Sequence, residues 1–348
     1  MKPTLLVLEL WGIGDLALAS PFLQQASEKY NVTLVARPTA CELRLRLWSH
    51  IDILAFSAPW TVFKGKYKVH RWPWRSVLRV VQTIRDQEFD LAVSARCDPR
   101  DHLLMWLMGA KRRFGFSRLG SQMLLTDCLH AETGVAHRYA HWRQLARELG
   151  FELPARDVLT RPRERTTIVV HTGAGQPVRV WPLDRYLRLV RHLRQQGHAV
   201  QLLCDSDQLP FWQKHEQPAI APSSVSELLV HLDTAAIFIG NDSGPGHLAA
   251  ISGVPTFTIF GPQLPSAFAP IHPGSEWIEG APCRYKPCFD SCRFATPHCL
   301  VNIDEETICK KVEAFIAKQL HASLTFESNL ARLACPPQSM SISRLWHS

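Results

Sequence analysis

The chain has 348 residues, 46% of them hydrophobic and 20% charged, which is enough apolar material for two cores and excludes a disordered chain. No run reaches the roughly 18–20 uninterrupted apolar residues of a membrane span, which excludes a polytopic membrane protein. The net charge of +8 is concentrated early: in residues 37–118, 16 Lys and Arg face 7 Asp and Glu. That surface suits an anionic partner (nucleic acid, phospholipid headgroups or a phosphorylated substrate), and equally a solubilising face with no partner.

In chain order, short apolar runs predict buried strands over 4–10, 32–36, 51–56 and 90–95, and amphipathic stretches predict helices over 15–30, 75–88 and 137–150. The opening Met1-Lys2-Pro3 precedes a short apolar run broken by Glu9, with no small-residue cleavage site, so no signal peptide is expected. A cytoplasmic chain with most of its ten cysteines reduced follows from that. Residues 151–165, with two prolines and many charges, read as a linker. The rhythm then restarts with strands over 167–171, 199–204, 236–240 and 256–260 and helices over 182–196, 225–234 and 246–252. A last helix over 304–320 follows a cysteine-rich segment, and the tail from Ser323 has no clear period. The expected organisation is two doubly wound α/β domains, 1–155 and 156–322, followed by a tail over 323–348. Ligands of such pairs bind between the carboxyl ends of the two sheets.

Three loops stand where such a cleft would be. Gly12-Ile13-Gly14-Asp15-Leu16-Ala17 fits the dinucleotide fingerprint. However, Asp15 would oppose a pyrophosphate, and the ribose-binding acid expected about 20 residues on is missing. Strand two ends in Ala36-Arg37-Pro38, so an NADP site using Arg37 stays open as a minority reading. Otherwise the glycines make a tight turn that aims Asp15 into the cleft, where a helix dipole favours the charged carboxylate a general base needs. A plain helix cap is the simpler alternative.

The second loop, His171-Thr172-Gly173-Ala174-Gly175, precedes Arg179 and Pro182. Its amides and Arg179 could hold phosphate, or it is an ordinary turn beside a surface charge. The third, Asn241-Asp242-Ser243-Gly244-Pro245-Gly246-His247, ends a strand and opens a helix, with glycines that permit close backbone approach. It reads as a diphosphate cradle, since a decorative turn rarely needs this set of residues together.

With these loops on the page, the sequence resembles glycosyltransferase family nine, the ADP-heptose:lipopolysaccharide heptosyltransferases. "GNDSGPGHLAAISGVPTFTIFGP" is the strongest match, with "VLELWGIGDLALASPFL" and "HTGAGQPVRVWPLDRYLRLVRHL" in the family's order across residues 4–320. The resemblance implies a GT-B fold, two Rossmann-like domains facing a central cleft, and metal-independent inversion with no cofactor. By position it makes Asp15 the catalytic base. It places Thr172, Gly173, Arg179, Asp242, Ser243, Gly244 and His247 at the donor, with Arg179 standing where the family has Lys or Arg. The implied partners are ADP-heptose or a related nucleotide sugar and a phosphorylated lipid A–Kdo acceptor. The same fold with another sugar nucleotide or a protein acceptor is the alternative.

Two features remain. "SAPWTVFKGKYKVHRWPWR" interleaves aromatic and basic residues, among them Lys64, Lys66, Lys68 and Arg71. It either docks an anionic acceptor peripherally at the inner membrane or packs as a loop with a solvated rim. Cys283, Cys288, Cys292 and Cys299 lack the CxxC pairs of zinc modules, so a reduced structural cluster is expected rather than a metal. A nucleic-acid-binding protein would account for the basic half but not the three loops, and an NADP oxidoreductase for the first loop but not the third. No nucleic-acid partner is expected.

Overall fold

The computed structural model describes residues 2–62, 65–130, 137–154 and 165–334, with side chains to 321. Most of the 151–165 linker and the tail beyond 334 lie outside these residues. The chain forms two all-parallel sheets. The first contains β1 (Thr4–Glu9), β2 (Asn31–Ala36), β3 (Asp52–Ala55), β4 (Leu91–Ser94), β5 (Arg112–Phe116) and β6 (Asp127–Leu129), in the order β3-β2-β1-β4-β5-β6. The second contains β7 (Thr167–His171), β8 (Val200–Leu203), β9 (Ala235–Asn241), β10 (Thr256–Phe260) and β11 (Glu276–Glu279), in the order β11-β10-β9-β7-β8. In the first sheet the order reverses beside β1, which places the end of β1 at a crevice.

The first sheet's helices are α1 (Ile13–Lys29), α2 (Thr39–Leu47), α3 (Trp74–Arg85), α4 (Pro99–Leu107) and α5 (Arg138–Glu148). Leu5 and Val7 of β1 pack with α1, α2 and α5 on one face, and Leu6 and Leu8 with α3 and α4 on the other. Helices on both faces explain why β1 is apolar without alternation. The second sheet carries α6 (Leu183–Gln195), α7 (Leu209–Lys214), α8 (Val225–Asp233), α9 (Gly244–Ile251), α10 (Pro265–Phe268), α11 (His298–Val301) and α12 (Glu305–Ala334). The expected end of the last helix at 320 is too early, because the α12 backbone continues to Ala334.

The two halves share packing. Leu16 and Leu43 of the first belong to the same buried cluster as Leu228, Leu232 and Leu248 of the second. At the rim Glu42 Oε2 accepts from the Ser226 N–H at 3.1 Å, and Arg46 pairs with Asp233. At the centre of this contact α1 lies against α9, and the amino ends of the two helices meet. A β-carbon on Gly14 would lie 2.9 Å from His247 Cδ2, and one on Gly244 would collide with Ile13 Cγ2. The glycines at these two positions are what lets the loops touch.

Candidate active site

Asp15 sits in the first turn of α1, where its Oδ2 accepts from the Gly12 N–H at 3.3 Å, so it does cap the helix. Its Oδ1 is paired with Arg96, which follows β4. The Arg96 guanidinium stacks on Trp11, 4.6 Å from the ring centroid, and reaches Glu9 Oε1 at 3.9 Å. Arg138, at the start of α5, adds a second guanidinium, whose pKa burial pulls down to about 10 against the attraction of Asp15 and Glu9. Glu9 is buried under this cluster, and the desolvation of its carboxyl raises its pKa to about 7 despite Arg96. Neither arginine nor Glu9 stands out in the sequence.

Across the contact, β9 delivers Asn241 and Asp242, and α9 begins immediately after. Asn241 ties the end of β9 to both ends of the β7–α6 loop and to α6. Its Oδ1 accepts from the Trp181 N–H and the Tyr186 hydroxyl, both at 3.0 Å, and its Nδ2 donates to the carbonyls of Thr172 at 2.9 Å and Gly173 at 3.3 Å. A buried amide that uses both ends in this way fixes the loops after β7 and β9 relative to each other. The amino end of α9 offers unpaired backbone amides. Beside it the Ser243 hydroxyl and His247 Nδ1 are buried without a hydrogen-bond partner. Burial pushes the His247 imidazole down to about 4, so the ring is neutral near neutral pH.

Arg179 stands at the same place, and each of its three nitrogens donates a hydrogen bond. Nε and Nη2 donate to the two oxygens of Asp290, each at 2.7 Å, and Nη1 donates to Asp242 Oδ2 at 3.2 Å. Burial raises the Asp242 carboxyl to about 6, opposed by Arg179 and reinforced by Asp290 and Asp15. Asp15 therefore lies within electrostatic reach of Arg179, Asp242 and His247, although it comes from the other half of the chain.

Asp15, Arg179, Asp242, Ser243, Gly244 and His247 thus come together. Thr172 and Gly173 stand differently. The Thr172 hydroxyl donates to Gln208 Oε1 at 2.8 Å within the core. Gly173 is needed because a β-carbon there would strike the Asp205 carboxylate, which accepts from the Ala174 N–H at 3.0 Å. Part of the second loop's amide set is thereby answered from inside.

In the basic segment Lys68 and Arg71 are exposed, Lys66 lies over the Tyr67 ring, and Lys64 lies outside the described residues. Trp60 is buried and donates to Asp101 at 2.9 Å, and it stacks through Trp72 to the exposed Trp74. The segment is therefore core-packed on one side and presents charge and aromatic surface on the other. Cys283, Cys288, Cys292 and Cys299 are free thiols around a cavity of about 20 Å³. Among the described residues no group of three or more His, Cys, Asp or Glu is arranged to hold a metal ion.

Two parallel α/β sheets whose loops meet across one contact define a GT-B architecture. Residues 77–296 match the model of glycosyltransferase family 9 (heptosyltransferase), and the chain belongs to that family. It is similar to lipopolysaccharide heptosyltransferase 3 of Escherichia coli strain K12, with 24% identity over 54% of this chain and 63% of the relative. It spans 35% of lipopolysaccharide heptosyltransferase 1 of Campylobacter coli, at 26% identity, so it matches less than two thirds of these curated relatives. In fold it resembles a family 9 glycosyltransferase from Veillonella parvula, with 16% identity, coverage of 91% and 98%, and a TM-score of 0.73. It also resembles the E. coli heptosyltransferase WaaC solved with ADP, with 13% identity, coverage of 90% and 99%, and a TM-score of 0.70.

Proposed function

We propose that the protein is an inverting, metal-independent glycosyltransferase that moves heptose from ADP-heptose to a phosphorylated lipid A–Kdo type acceptor of the lipopolysaccharide inner core. It would work in the cytoplasm, at the anionic face of the inner membrane. The observation that carries this reading is the meeting of Asp15 with the amino end of α9, where Ser243 Oγ and His247 Nδ1 are buried and unpartnered. A carboxylate faces an anion-seeking helix end there, which is what one-step displacement at a glycosyl diphosphate requires.

In this scheme the α9 amides and Ser243 hold the diphosphate, and Arg179 takes up charge as ADP leaves. The acceptor oxygen attacks the anomeric carbon from the face opposite the diphosphate. Its bond to that carbon forms as the carbon–oxygen bond to ADP breaks, and its proton passes to Asp15. Attack from the opposite face inverts the anomeric centre. Arg96 holds the carboxylate in position, and Asn241 keeps the donor loops in register. The exposed Lys68, Arg71, Tyr67 and Trp74, with the half-buried Lys66, would meet anionic headgroups. Among the described residues no helix is long and apolar enough to cross a membrane.

The test is turnover with ADP-heptose and a Kdo-bearing acceptor in the presence of EDTA, with the anomeric configuration of the product read by NMR. ADP release that depends on the acceptor, with an inverted product, is expected. A retained anomer, a requirement for divalent metal, or faster transfer from another sugar nucleotide would each overturn the corresponding part of the scheme.

A further inference from the structure

The segment that follows β11 carries Asp290, and its contact with Arg179 works against the donor. Arg179 is shared by two carboxylates, Asp242 and Asp290, whose side chains are only 4% and 11% exposed. The Asp290 pairing is two-pronged, the arrangement a guanidinium otherwise makes with phosphate oxygens. A donor diphosphate reaching Arg179 would meet both carboxylates at close range, and neither partly buried charge is screened well by solvent.

Of the two, only Asp290 is lightly tethered. Asp242 ends a central strand, and its N–H donates to the Ile259 carbonyl at 3.2 Å. Asp290 lies in a loop whose other ties to the body are long. The Cys288 N–H reaches the Pro262 carbonyl at 3.4 Å, and Gln263 Nε2 reaches Asp290 Oδ1 at 3.4 Å. Phe289 and Asp290 both have positive φ, 47° and 66°, which costs non-glycine residues energy. Phe289 is exposed, so the core does not compel this backbone shape.

We propose that Asp290 is the internal competitor for the donor: its carboxylate occupies the Arg179 fork that the diphosphate takes, and donor binding requires the 288–292 loop to give it up. The inference rests on the donor reading above and adds a residue that sets donor affinity. Release would free the Arg179 fork, let the two left-handed residues relax, and remove one negative charge from beside the phosphates.

The test compares wild type, Asp290→Asn, Asp290→Ala, Arg179→Ala and the Arg179→Ala/Asp290→Ala double variant. ADP and inorganic pyrophosphate are titrated calorimetrically, with melting measured on the same preparations. Asp290→Asn keeps the size and one accepting oxygen, so it covers the case in which the alanine variant folds poorly. Both Asp290 variants should bind ADP about tenfold more tightly, the scale of one charged contact removed. The donor KM should fall while the acceptor KM stays. In the Arg179→Ala background the Asp290 change should tighten ADP binding much less, by the removed charge alone. ADP binding that is unchanged or weaker in folded Asp290 variants sinks the competitor and leaves the donor reading standing. Tightening that is just as large without Arg179 also sinks it. If wild type and all variants ignore both ADP and pyrophosphate, the donor reading falls and the competitor with it.

Discussion

The two ionic clusters that face each other at this site are built on opposite plans. On the first half, Asp15 and Glu9 are matched by Arg96 and Arg138, two acids and two bases held on the ends of β1, β4 and α5. On the second half, one Arg179 serves two acids, and one of those rides on a loop. A balanced cluster mounted on the ends of strands and helices holds a carboxylate in one place, which suits a base that must meet an acceptor hydroxyl. An acid-rich cluster with a loosely tethered member suits exchange, because an incoming anion can replace one that is already there. Position is fixed on one side and occupancy is negotiable on the other.

The largest effect should come from breaking the fixed side. Asp15→Asn keeps the size and the cap on Gly12 but cannot take a proton, so turnover should fall about 10²–10⁴-fold. Melting should fall moderately, because Arg96 loses the charge of its partner, and ADP affinity should stay near normal. Near-normal turnover in the folded variant would remove Asp15 as base and leave the donor side untouched. Next, Arg179→Ala should weaken ADP binding by roughly ten- to hundredfold. This change also leaves Asp242 and Asp290 facing each other unpaired, so a lower melting temperature should accompany it. Equal ADP affinity would mean that the negotiable side is not a donor site.

A smaller effect is expected beyond the clusters. Replacing any one of Lys66, Lys68 and Arg71 with Gln should reduce binding to anionic vesicles about fivefold, given about 1 kcal/mol for each basic residue near such a surface. ADP binding should not change. Vesicle binding that is unaltered at low and physiological salt would assign the segment to packing alone.

The smallest effect sharpens the comparison from beneath. Glu9 is raised to about 7 when folded, against 4.5 in the unfolded chain. Between those values the unfolded chain has released the proton that the folded chain keeps, so stability falls as pH rises from about 4.5 to 7. Asp101, also buried and raised to about 7, adds to the same slope. Glu9→Gln lacks its share, so its melting temperature should gain on wild type by a few degrees across that window. A constant difference from pH 4.5 to 7.5 would show that the carboxyl beneath Arg96 does not titrate there.

Much of the fold was legible because its signals are local. The β/α rhythm shows in alternating run lengths, and the loop between β9 and α9 shows in seven adjacent residues. Strands β5 and β11 were not legible: β5 begins with two arginines, and β11, Glu-Trp-Ile-Glu, is too brief for a period to register. In the site, Asp15, Asp242, Ser243 and His247 could be picked from their turns. Arg96, Arg138 and Asp290 could not, because each gains its meaning only when distant segments fold together. Thr172 shows the opposite failure. Its neighbours suggest a ligand, but its hydroxyl is spent on Gln208, a partner that sequence proximity does not reveal.

The mating of Gly14 with His247, and of Ile13 with Gly244, has a practical consequence for anyone who recombines these proteins. The two halves look like exchangeable modules, each with its own sheet. Yet a chimera that takes its second half from a relative bearing a side chain at position 244 would bring a methyl group into Ile13. A bulkier residue at 14 would displace the His247 ring. Those four positions travel as one cassette, and a domain swap that respects the linker but ignores them will misalign the halves.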